Sequence, residues 1–206
     1  MTRITFLTKF ALSFAAFLQI CPAFSMEEEF SLFLKRHPNQ NFYKDTFDSV
    51  NSDNYTIKNL ILRGEINSDF SKKIILFKDI EQLDLRDTDI SYLGNVNLLS
   101  RLKAINLSGC AIVDANLKNL PESLEFIDVS NTPVGGAFLK SIPTTSKLEY
   151  ISLKSTRITN YKALAPLINL EYLKMIDLSE TYVSYQQRKI VERHLKKLKT
   201  TVQIIF

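Results

Sequence analysis

Leu124-Glu125-Phe126-Ile127-Asp128-Val129, followed by Thr132 and Val134, is the stretch whose reading decides the fold. Its apolar anchors stand at the first, fourth and sixth places. The same frame returns as Ile80-Glu-Gln-Leu83-Asp-Leu85, Leu102-Lys-Ala-Ile105-Asn-Leu107, Leu148-Glu-Tyr-Ile151-Ser-Leu153 and Leu173-Lys-Met-Ile176-Asp-Leu178. Successive starts are 22, 22, 24 and 25 residues apart. Eight residues past each start come Thr88, Cys110, Thr132, Thr156 and Thr181, and two further on come Ile90, Ile112, Val134, Ile158 and Val183. A worn copy begins at Ile57 with Leu60 and Leu62, carrying Glu65 and Asn67 at the two later places, and a truncated one reads Val202-Gln-Ile204.

A fixed period of this length, L-x-x-L-x-L with one polar insertion point, resembles the leucine-rich-repeat family over about residues 57–206. The resemblance implies an α/β solenoid: a curved parallel sheet on the concave face, with short helices or 3-10 turns on the convex face. Thr stands where the family more often has Asn; its hydroxyl can still bond the turning backbone, with fewer groups than an amide. No repeat can bury its anchors alone, whereas stacked neighbours can. Strand alternation turns the second and third anchors inward and the residues between them toward solvent. Pro121, Pro143 and Pro166 predict short turns in the connections rather than long helices. The last connection opens with Ser184-x-x-Gln187, the spacing of a capping box, before a helix to about Lys197.

Outside the repeats, residues 1–25 read as an export signal. Arg3 and Lys9 precede an eleven-residue apolar run, Phe10 to Ile20, and Ala23-Phe24-Ser25 offers small residues where a signal peptidase cuts. The run is shorter than the roughly 20 residues that cross a bilayer. Ile20 before Cys21 is poorly suited to lipid attachment. Cleavage would leave Cys110 without a disulfide partner, as suits a bacterial periplasmic or secreted protein that relies on packing. In residues 26–56, Phe30, Phe33 and Leu34 predict one helix ending at Pro38. Phe42, Tyr43, Phe47 and Val50 predict a second, together forming an N-terminal helical cap over the open end of the solenoid.

Of the 26 basic side chains, Arg3 and Lys9 lie in the leader, so 24 face 22 acidic ones in the mature chain, a balance that does not call for nucleic acid. No catalytic, cofactor or metal residues are expected. His37 and His194 lie in opposite end segments, and no nucleophile elbow or phosphate loop is present. Asp84, Asp128 and Asp177 share one outward column, but neutral Asn106 and Ser152 separate them by about 10 Å, too far to share an ion. Cys110 fits the turn position as a small packed thiol. Arg188, Lys189, Arg193, Lys196 and Lys197 make the last helix basic, read here as a solvated cover.

The expected binding surface is the outward column two residues past each start: Gln82, Ala104, Phe126, Tyr150 and Met175. Phe126, Tyr150 and Met175 would form an apolar stripe with Asp128, Lys154 and Asp177 among a charged rim, the arrangement of many protein interfaces. The expected activity is therefore recognition of a protein by an exported monomer, without an enduring membrane contact. Leucine-rich-repeat proteins exported by host-associated bacteria commonly bind host proteins, and the chain looks like them. An envelope structural or regulatory protein and a hydrolase are the alternatives.

Overall fold

Each repeat contributes one three-residue strand because only the segment between its anchors must stay extended to carry the chain past the core. The computed structural model describes residues 41–42, 57–66, 74–195 and 202–206. Among them, eight strands form one parallel sheet in sequence order: β1 Asn41–Phe42, β2 Asn59–Ile61, β3 Gln82–Asp84, β4 Ala104–Asn106, β5 Phe126–Asp128, β6 Tyr150–Ser152, β7 Met175–Asp177 and β8 Gln203–Ile205. Equivalent residues pair across every rung, so Leu60, Leu83, Ile105, Ile127, Ile151, Ile176 and Ile204 form one file. That file points into a continuous hydrophobic core with the other anchors of each repeat. The fold is a leucine-rich-repeat solenoid.

Phe42 departs from the expected helix. It lies in β1, paired with Leu60, so the parallel stack extends one strand before the first recognisable repeat. A backbone ladder can recruit a strand that lacks the apolar signature, because its hydrogen bonds do not depend on side chains. The rest of the expected N-terminal cap and the whole expected export signal lie outside the described residues.

The connections are 3-10 turns, as the prolines predict: η1 Ile74–Leu76, η2 Val96–Leu98, η3 Asp114–Leu117, η4 Ala137–Ser141 and η5 Tyr161–Asn169. Pro121 and Pro143 follow η3 and η4, and their carbonyls accept from Leu124 N and Ser146 N, turning the chain toward the next strand. Pro166 sits inside η5, where its missing N–H favours tight turns over a regular α-helix. Among the described residues the one α-helix, α1, spans Tyr185–Leu195. Ser184 Oγ accepts from Gln187 N at 3.4 Å, but Gln187 Oε1 finds no partner, so only half of the expected capping box forms. The expected continuation of this helix to Lys197 lies outside the described residues.

Two polar ladders bind the repeats between strand and turn. The threonine hydroxyls donate to the carbonyl three residues back: Thr88 to Leu85 at 2.7 Å, and Thr132, Thr156 and Thr181 to Val129, Leu153 and Leu178 at 2.6 Å. Cys110 instead donates to Leu85 of the preceding repeat, 3.0 Å away. The residue before each of these turns left-handed, as does Gly64 at the equivalent place of the first copy: Gly64, Asp87, Gly109, Asn131, Ser155 and Glu180 all have φ between 52° and 73°. This reversal aims the amide N–H at the next repeat, so Asp87, Gly109, Asn131 and Ser155 donate to Ser108, Ser130, Lys154 and Ser179 carbonyls at 2.8–3.0 Å.

Candidate functional site

With alternate strand residues committed to the core, the positions on either side of them must lie on the other, concave face. The register brings Ala104, Phe126, Tyr150 and Met175 into neighbouring rungs, as the repeat spacing predicts. The Phe126 and Tyr150 rings are 6.2 Å apart between centroids and tilted by 33°, within the range of favourable aromatic pairs. The column continues through Gln82 and Asn59 at one end and Gln203 at the other.

The expectation that this column faces solvent is overturned. Phe126 is 1% exposed, Met175 2% and Ala104 0%, while Tyr150 is half-buried. Yet Ala104, Phe126 and Met175 are absent from the continuous core on the opposite side of the sheet. They form an apolar strip withdrawn from water and separate from the core. Gln82, also 1% exposed, has neither amide atom hydrogen-bonded. Its place in the column was legible from the spacing, but its missing partners were not.

The second column is likewise buried, and its chemistry is directed inward to the backbone. Asp84, Asn106, Asp128 and Asp177 each accept from the amide two residues on, through Oδ1, at 2.8–3.2 Å. These are side-chain-closed turns that satisfy the chain as it leaves the strand. Asp128 and Asp177 therefore cap their own repeats and do not form an exposed charged rim. Burial pushes the Asp128 carboxyl above the usual carboxylate range; hydrogen bonds from Ser130 and Ser152 oppose the rise, and Asp177 adds to it. Lys154, expected in the rim, pairs with Glu180 at 3.3 Å.

Asp84 has an additional role that the sequence did not reveal. Arg63 grips both its oxygens, at 3.0 and 2.6 Å, and Arg86 adds a contact of 3.0 Å. Planar guanidinium groups can clamp and cover a buried carboxylate in this way. Beside the strands, Glu81 is bracketed by Lys58 at 3.1 Å and Lys103 at 3.3 Å. Burial raises its carboxyl, but the two ammonium groups outweigh that and hold it below the usual range.

Among the described residues no group of three or more His, Cys, Asp or Glu side chains is placed to hold a metal. His194 Nδ1 contacts the Ile190 carbonyl within α1 at 2.8 Å; His37 lies outside the described residues. Burial also raises the Cys110 thiol, disfavouring the nucleophilic thiolate. The basic helix is partly engaged with its surroundings: Arg188 lies over the Phe206 ring and Lys189 over the Tyr185 ring. No described helix is long and apolar enough to cross a membrane.

No family model matches the sequence, and no curated protein matches it. Solved structures do. A leucine-rich-repeat protein of Leptospira interrogans is 17% identical, with a TM-score of 0.47, over 68% of this chain and 41% of that one. The leucine-rich-repeat domain of APL1B is 18% identical, with a TM-score of 0.47, over 72% and 40%. An internalin of Listeria monocytogenes is 18% identical, with a TM-score of 0.48, over 71% and 49%. The chain spans less than half the length of each of these three.

Proposed function

We propose that the chain is an exported recognition scaffold that binds a protein through the concave face, centred on Phe126, Tyr150 and Met175. The observation that carries this reading is the apolar strip outside the core. Side chains placed there contribute nothing to packing between the sheet and its connections, and a contiguous apolar strip of this kind is the chemistry of an interface centre. Tyr150, half-buried at the strip's centre, is the anchor, and aromatic residues of this kind dominate binding energy at interfaces. The basic-acidic balance of the chain and the backbone-directed carboxylates favour binding over catalysis. The apolar leader Phe10 to Ile20 and the small residues before Met26 support export, with residues 1–25 removed.

The test is affinity capture with the exported, processed chain as bait, beside a Tyr150→Glu bait with the same circular dichroism. A captured protein that loses at least tenfold in affinity to the variant supports the reading. Partners held equally by both baits would move the interface off the concave face, and an unprocessed product retaining residues 1–25 would refute export.

A further inference from the structure

We propose that the cleft between η5 and α1 is a binding site for a small amphipathic carboxylate. The helix rests on the last long connection through Val191 and Leu195, which are buried against Leu164. Tight turns in η5 bring Ala165 and Ile168 to the same cleft. These groups line a half-open cleft of 120 Å³, somewhat smaller than the roughly 150 Å³ apolar cavity that takes up benzene. Its walls are almost wholly carbon, so water gains few hydrogen bonds by entering and an alkyl chain gains burial.

The rim gives the cleft its selectivity. Lys162 and His194 line it, and among the described residues no carboxylate does. Lys162 is exposed and brings a permanent positive charge. An apolar hole with a lysine at its edge selects a short chain ending in an anion and rejects one ending in an ammonium group. The site lies on the convex side and is independent of the proposed protein-binding strip.

The experiment titrates pentanoate, 1-pentanol and pentylammonium into the full chain, following the methyl resonances of Leu164, Ile168, Val191 and Leu195. Saturable shifts with pentanoate are expected, with the alcohol about threefold weaker, as for a solvent-screened charge contact. Pentylammonium should be weaker still. Ala165→Phe should abolish uptake by filling the cleft. Lys162→Met, at an exposed position that leaves packing intact, should reduce pentanoate to the affinity of the alcohol without changing the alcohol. Equal affinity for all three ligands would overturn the proposal by removing the headgroup's part, as would shifts that persist in Ala165→Phe.

Discussion

Replacing Thr132 by Val isolates what the hydroxyl ladder contributes. The substitution keeps the branched shape and nearly the volume, so it opens no cavity and leaves the strand and turn their packing. It removes the 2.6 Å bond to the Val129 carbonyl at a site 4% exposed to water. A net hydrogen bond is worth about 1 kcal/mol, and an acceptor left short of a donor adds about 1–3 kcal/mol. The new methyl recovers about 0.8 kcal/mol by its own burial. The balance is a loss of about 1–3 kcal/mol, equivalent to about 2–12 °C in Tm for a chain of this size. Urea denaturation followed by far-ultraviolet circular dichroism measures it, with an unchanged m-value confirming that the same surface unfolds. Cys110→Thr is the control of opposite sense: it installs a hydroxyl at the ladder's odd member and should cost little or stabilise. A Thr132→Val variant within 0.3 kcal/mol of the parent would refute the argument, leaving the threonines as spacers of suitable size.

Asp128→Asn should stabilise the fold at neutral pH, because Asn106 already closes the same turn without a charge to bury. The folded state holds the Asp128 proton to higher pH than the unfolded chain, so stability falls as pH rises from the ordinary carboxylate value through the raised one; a pH series of urea midpoints should show the variant's advantage growing over that window. Gly109→Ala should cost more than Gly64→Ala by thermal melting. Both impose a left-handed conformation worth about 1–2 kcal/mol on alanine, but at Gly109 the added methyl meets the Asp87 carboxylate, whereas at Gly64 it meets open space.

The period was legible because burial is strict: a polar residue at Leu83 or Ile151 would break the core, so the anchors recur without exception. The strand β1 was not, since a sheet edge can recruit backbone without an apolar motif. The left-handed ladder left a partial trace. Gly64, Asp87, Gly109 and Asn131 are residue types that tolerate positive φ, but Ser155 and Glu180 share the conformation and blur the pattern. For the candidate site, spacing identified which residues stand together in the register but not how far water reaches them. Phe126 and Met175 are on the face the alternation assigns and are nevertheless buried. Asp128 and Asp177 looked like a charged rim because their amide partners sit only two residues away, a geometry that the column alone does not display.

The rung-by-rung register also has a mechanical consequence. Hydrogen bonds between parallel strands run along the stacking direction, so tension applied to the two ends of the described stack loads one rung at a time, as a zipper is opened, instead of shearing all rungs together. Each released repeat of 22 to 25 residues pays out roughly 75–90 Å of extended chain. The molecule would lengthen under load in modest, repeated steps at low force, behaving as a compliant tether while its unpeeled repeats keep their shape.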